Sequence, residues 1–208
     1  MGADRDTDVE ALVDQVAVDD RYGPSALMTP ANAVTVIRLL FSPALLVMIV
    51  REPSSWGAIA LWTALAFTDG IDGALARRHG TTRSGAFLDP LADKVLVLGA
   101  LYALVAAGRF PVVPVVIISI RELAISVYRA HLGRSGLAVP ARPLAKVKTV
   151  VQELAVALAL LPWTVDHPSL ADTVLWGAVV LTVLTGAQYL IDGREAATTL
   201  GHRTKPAV

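Results

Sequence analysis

An all-α polytopic membrane protein with six transmembrane helices is the architecture this sequence predicts, and three observations lead to it. The chain is 54% hydrophobic with a mean hydropathy of +0.58, too apolar for an ordinary soluble domain. Its apolar residues gather in six runs, near 33–50, 56–76, 86–107, 111–131, 145–162 and 169–191. Each run is close to the ~20 residues that a helix needs to cross a hydrocarbon core. The charged residues make up only 17% of the chain and are clustered. The runs do not alternate with period two, so a membrane β-barrel is not expected.

Residues 1–27 read as an acidic cytoplasmic tail, partly helical or disordered, without the basic-then-apolar pattern of a signal peptide. Val9, Leu12, Val13 and Val16 recur at helical spacing, which predicts a short amphipathic helix at the membrane interface. The membrane domain is expected over 28–193 and a cytoplasmic C-terminal tail over 194–208. Turn-forming stretches separate the runs: "REPSS", "RRHGTTRS", "GRFP", "GRSGLAVPARP" and "PWTVDHPS". One set of run ends carries Arg77, Arg78, Arg83, Arg129, Arg134, Arg142, Lys146, Lys148, Arg194, Arg203 and Lys205, whereas the opposite ends carry little beyond Arg51 and Arg109. Basic residues mark the cytoplasmic side, so both termini and the turn near residue 81 are expected to face the cytoplasm. Zero formal net charge gives no field for nucleic acid, and the absence of cysteine excludes disulfides and thiolate metal sites.

The stretch "FTDGIDGALARRHGTTRSGAFLDPLADK" places Asp69, Asp72, Asp89 and Asp93 at the ends of the second and third runs. The pairs are spaced i, i+3 and i, i+4, so each lies on one helix face. Asp69 and Asp93 are equidistant from residue 81, and Asp72 and Asp89 nearly so. An antiparallel hairpin would bring all four to similar depth, roughly 10–20 Å from the turn at ~1.5 Å per residue. Ionisable groups at such depth mark function by default. Solvated interface charges, structural ion pairs or an ion pathway are the competing readings. Bound Mg²⁺ or Mn²⁺ answers the mutual repulsion best, because an all-carboxylate set suits a hard cation and four carboxylates hold two. Gly70, Gly73 and Gly85 keep side chains away from the backbone beside these carboxylates, which admits a substrate or a closely packed helix.

These residues resemble the signature of the CDP-alcohol phosphotransferases, D-x-x-D-G-x-x-A-R…G-x-x-x-D-x-x-x-D. Asp69, Asp72, Gly73, Ala76, Arg77, Gly85, Asp89 and Asp93 all match it, eight positions across 25 residues. Seven residues separate Arg77 from Gly85 where the pattern has eight, a deletion that falls in the turn. The resemblance implies transfer of a phosphoryl-alcohol group from a CDP-linked donor to an acceptor hydroxyl, with CMP leaving. It implies two divalent ions on the four aspartates, Asp93 as general base, and Gly73 and Arg77 on the CDP group. Asn32 and Thr35 in "TPANAVTVIR" are further candidates for the nucleotide, beside a capping or interface role. Thr82 and Arg83 in the turn are weaker ones. A homodimer is also implied.

The acceptor is read from "SIRELAISVYRAHLGRSG" and "VPARPLAKVKTVVQE". Arg121 sits deep in an apolar run, Arg129 lies two turns further on roughly the same side, and Lys146 and Lys148 come from the next helix. Converging cations suit an anionic acceptor, although topology and anionic lipid heads draw on the same residues. Arg121 and Glu122, adjacent on a helix, are expected to point apart. Arg121-Glu122 and Lys146-Val147-Lys148-Thr149, with Gln152 after them, are similar to segments of the bacterial phosphatidylglycerophosphate synthases. That similarity implies CDP-diacylglycerol as donor and sn-glycerol 3-phosphate as acceptor, in the bacterial cytoplasmic membrane with the site facing the cytoplasm. Inositol phosphate, phosphatidylglycerol (as in a cardiolipin synthase) and a non-enzymatic cation transporter are the alternatives. A transporter is disfavoured because the second half carries no matching set of carboxylates.

Overall fold

The computed structural model describes residues 30–79, 83–134 and 143–203, with side chains over 32–68, 90–132 and 144–192. Among the described residues there are six α-helices, one 3-10 turn and no strand. The helices are α1 (Pro30–Arg51), α2 (Trp56–His79), α3 (Arg83–Ala106), α4 (Val112–Arg134), α5 (Pro143–Leu160) and α6 (Pro168–Arg203), and the 3-10 turn Pro162–Thr164 precedes α6. The all-α expectation holds there, and the helices follow the six apolar runs. Two stretches, Asn32–Arg51 and Pro168–Asp192, are long and apolar enough to cross a membrane. The acidic tail and its expected helix lie outside the described residues. The last helix continues past its apolar run to Arg203, through residues such as Glu195, Ala196 and Ala197 that favour helix without apolar packing.

Local chemistry explains the boundaries. Pro30, Pro143 and Pro168 open α1, α5 and α6, where a missing N–H leaves no helical bond unmade. At the end of α3, Gly108 has φ 71°, its N–H donates to the Val105 carbonyl, and the Arg109 N–H donates to the Leu104 carbonyl at 2.9 Å. This paired bonding closes the helix around a left-handed glycine, and Pro111 prevents its resumption.

Around an apolar core, three helices also bury polar side chains while exposing large apolar ones. α1 exposes Val36, Ile37, Leu40, Phe41, Val47 and Val50 while burying Asn32, Thr35, Arg38 and Ser42. α5 exposes Val147, Val150 and Leu154 and buries Lys148 and Gln152, and α6 exposes Trp176, Val180, Val183 and Leu184 and buries Thr182 and Thr185. Water would penalise that arrangement on both counts. Lipid removes the penalty on exposed apolar groups and drives polar groups to find partners inside.

The described chain divides into two compact units, one of residues 30–44 and 63–96, the other of 45–62 and 97–203. In the second, α6 packs against both α4 and α5. Two connections also meet there on one atom. Ser54 Oγ (3.5 Å) and Arg109 Nη2 (3.3 Å) both donate to the carbonyl of Ala159, in the last turn of α5 where carbonyls lack helical partners. Trp56 and Trp163 stack edge to face beside these turns, ring centroids 6.1 Å apart, and both are exposed, as aromatic residues at a membrane boundary are.

Candidate active site

The signature residues fall on two helices. α2 is helical through Asp69, Asp72, Gly73 and Arg77 to His79, and α3 is helical from Arg83 through Asp89 and Asp93. The i, i+3 and i, i+4 spacings therefore act as helical spacings, and each pair lies on one face of its own helix. Asp69 stands as far from the end of α2 as Asp93 does from the start of α3 (69 to 79, 83 to 93), about 15 Å along each axis. Asp93 is half-buried. The side chains of Asp69, Asp72, Arg77, Arg83 and Asp89 lie outside the described residues, and Thr82 lies outside them altogether. An all-carboxylate donor set on two helices, with Asp93 withdrawn from full exposure, fits a hard divalent cation.

In the same unit, α1 supplies a buried polar face. Asn32, Thr35, Arg38 and Ser42 recur every three or four residues and are each no more than 2% exposed. Asn32 and Thr35 were expected to face a ligand; Arg38 was not singled out by the sequence reading, and it is wholly buried. Its Nε donates to Thr68 Oγ1 across a long 3.4 Å, and Thr68 Oγ1 itself donates to the Leu65 carbonyl at 2.6 Å. Thr68 immediately precedes Asp69, so this arginine reaches the turn of α2 that leads into the first signature residue. Its signal in the sequence was the polar residue every helical turn along an otherwise apolar run.

The second unit gathers the residues proposed for the acceptor. Arg121 Nη1 donates to Glu122 Oε1 at 3.0 Å, and Lys148 Nζ from α5 contacts the same oxygen. Arg121 Nη2 donates to Thr185 Oγ1 of α6 at 2.9 Å. Gln152 Nε2 donates to Thr182 Oγ1 at 3.0 Å, tying α5 to α6 one turn away. The expectation that Arg121 and Glu122 point apart is corrected here: two long side chains wrap toward each other, with Glu122 also drawn toward Lys148. Two cations share one carboxylate, so each of these half-buried or buried charges has a partner of opposite sign. Arg129 and Lys146, by contrast, are exposed. Eight residues turn a helix about 80° beyond two full turns, which takes Arg129 away from the face of Arg121. Thr182, Thr185 and Gly186 were missed in the sequence, where small residues in an apolar run carry no charge pattern.

The family model for CDP-alcohol phosphatidyltransferase matches residues 28–184. The chain belongs to the CDP-alcohol phosphatidyltransferase family. Among its relatives, a protein of Mycobacterium tuberculosis named "Probable phosphatidylglycerophosphate synthase" is 36% identical over 81% of this chain and 83% of its own length. A Bacillus subtilis protein named "CDP-diacylglycerol--glycerol-3-phosphate 3-phosphatidyltransferase" is 35% identical over 81% of this chain and 96% of its own. One of the same name from Cereibacter sphaeroides is 37% identical over 65% of each. Members of this family are generally dependent on divalent metal, and family membership together with the apolar helices identifies a membrane protein. The resemblance read from Asp69 to Asp93 is thus borne out at the level of the family.

Proposed function

We propose that this enzyme transfers the phosphatidyl group of CDP-diacylglycerol to sn-glycerol 3-phosphate, forming phosphatidylglycerophosphate and CMP in phospholipid biosynthesis. The observation that carries the reading is the eight-position signature, set on continuous helices α2 and α3, in a chain whose relatives bear the names of this activity. The acceptor's hydroxyl oxygen attacks the phosphorus that bears diacylglycerol, the bond from that phosphorus to the CMP oxygen breaks, and Asp93 takes the hydroxyl proton. A carboxylate so placed matches the base this step needs. Asp69, Asp72, Asp89 and Asp93 would hold two divalent cations, Mg²⁺ or Mn²⁺, which when bound neutralise the pyrophosphate and the departing CMP. Gly73 leaves room for the CDP group and Arg77 pairs with its phosphate, with Asn32, Thr35, Thr82 and Arg83 as further nucleotide contacts. Arg121 and Lys148 hold the acceptor's phosphate, while Arg129 and Lys146 draw it in from solvent.

Six helices with basic residues at alternate ends support six spans of the bacterial cytoplasmic membrane, with both termini and the site on the cytoplasmic side. The lipid donor then enters sideways and the polar acceptor arrives from the cytoplasm, in a homodimer of the kind the family resemblance implies. The test is CMP release by purified protein in detergent with CDP-diacylglycerol and Mg²⁺, one acceptor at a time. Selective turnover with glycerol 3-phosphate is expected. Selective turnover with inositol phosphate or phosphatidylglycerol would keep the donor and replace the acceptor.

A further inference from the structure

Arg121 is held by α6 in a way that no charge pattern announces. The Thr185 hydroxyl lies 2.7 Å from the Leu181 carbonyl, to which its proton is donated, so its lone pairs are left for Arg121 Nη2 at 2.9 Å. The next residue, Gly186, is buried, and a Cβ built on it would stand 3.2 Å from Arg121 Nε and 3.3 Å from Cγ. Those distances are closer than carbon normally accepts, and the atoms met belong to the stem of the arginine rather than to its free end. Glu122 takes Nη1 at 3.0 Å, so two of the five guanidinium N–H groups are used. Arg121 Nε is buried without a hydrogen-bond partner among the described residues. A buried arginine nitrogen left over beside a threonine and a glycine is a side chain aimed rather than merely neutralised.

We infer that Thr185 and Gly186 are positioning residues that set the aim of the Arg121 guanidinium toward a phosphate monoester: Thr185 tethers one terminal nitrogen, and Gly186 clears the path of the stem. The inference deepens, and rests on, the reading of Arg121 as a ligand of the acceptor's phosphate. α6 then governs acceptor affinity without touching the acceptor, and it has no part in binding the CDP-linked donor.

The experiment measures KM for glycerol 3-phosphate and for CDP-diacylglycerol on the purified full chain in detergent, for Thr185→Val, Thr185→Ser, Gly186→Ala, Gly186→Val and Arg121→Ala. Loss of the charge-assisted hydrogen bond between the Arg121 guanidinium and Thr185 corresponds to a roughly tenfold or greater rise in KM for glycerol 3-phosphate in Thr185→Val. Thr185→Ser, which keeps the hydroxyl, is expected to stay within twofold of the parent, and KM for CDP-diacylglycerol is expected to hold throughout. Gly186→Val should exceed Gly186→Ala, and Thr185→Val should add nothing in an Arg121→Ala background, since it acts through that arginine. If Arg121→Ala raises the acceptor KM while Thr185→Val does not, the positioning role is wrong and the acceptor site stands. If Arg121→Ala itself leaves the acceptor KM unchanged, the reading of the site fails. Equal rises for both substrates in Thr185→Val would mark a structural effect and overturn the inference. If Gly186→Val does not fold, the Thr185→Val and Thr185→Ser pair decides alone.

Discussion

The aspartate stretch and the α4–α6 cluster both set charge within apolar runs of the sequence, but they do so by opposite routes. The aspartate stretch is local: eight signature positions lie within 25 residues, and the helices that carry them are consecutive. The cluster is assembled: Arg121, Lys148 and Thr185 come from three helices, with Glu122 and Lys148 26 positions apart in sequence and Arg121 and Thr185 64 apart. The aspartate stretch sets four carboxylates at helical spacings, and bound divalent cations are proposed to complete it. The cluster mixes signs and is largely satisfied by its own side chains. A site completed from outside fails all at once when one member is lost, whereas a self-satisfied one loses affinity by degrees.

The sharpest way to break this contrast is at Asp93. Asp93→Asn keeps the shape and removes the basic oxygen, so kcat is expected to fall by about 10²–10⁴ while the thermal midpoint in detergent is retained. Activity near that of the parent would remove Asp93 from the role of base. The next largest effect is expected in the cluster. Arg121→Ala deletes charge-assisted bonds, each worth roughly tenfold or more, so kcat/KM for glycerol 3-phosphate should fall about 10–100-fold with KM for CDP-diacylglycerol unchanged. A graded loss confined to one substrate is what a self-satisfied cluster predicts; complete inactivation would make the two regions alike.

Arg38 sharpens the comparison from the other side, because it is a contact between two helices beside the aspartate stretch. It joins α1 to α2 at Thr68, next to Asp69. Residues that orient a metal-binding carboxylate through its neighbours often change metal affinity by an order of magnitude. Arg38→Lys, which keeps the charge and loses the planar fork, is therefore expected to raise the Mg²⁺ concentration for half-maximal rate by roughly tenfold. An unchanged Mg²⁺ requirement with a lowered thermal midpoint would instead make Arg38 a packing residue.

What could be read from the chain divides along the same line. Helix positions follow the apolar runs closely, since a segment crossing lipid must satisfy its backbone internally and helix does so. The aspartates were legible because their spacing and their setting both depart from an ordinary apolar segment. Arg121 and Lys148 were legible as charges in apolar runs, but their shared partner was not. Helical geometry fixes where Cβ points, while a long side chain goes where its partner is. Thr185 and Gly186 were not legible, because their meaning depends on which helix lies opposite, and pairing among helices of equal apolarity is not written in hydropathy. Arg38 stood in a quoted motif without a role, since burial of one face of α1 decides it.

The smallest effect tests whether tight helix contact away from both regions is only structural. In the second unit, a Cβ on Gly99 of α3 would meet Leu46 Cδ1 of α1 at 3.0 Å and Cδ2 at 3.2 Å. The atoms met are the tips of a leucine, which can swing, unlike the arginine stem facing Gly186. Gly99→Ala also gains intrinsic helix preference of about 1 kcal/mol, which offsets part of an overpacking cost of roughly 1–3 kcal/mol. The net change in unfolding free energy is expected to be under about 2 kcal/mol, with both KM values and kcat within twofold of the parent. Thermal unfolding in detergent beside steady-state kinetics measures both. A selective change in one KM would show that the α1–α3 contact transmits to a substrate, and close packing between these helices would then be part of the site rather than its support.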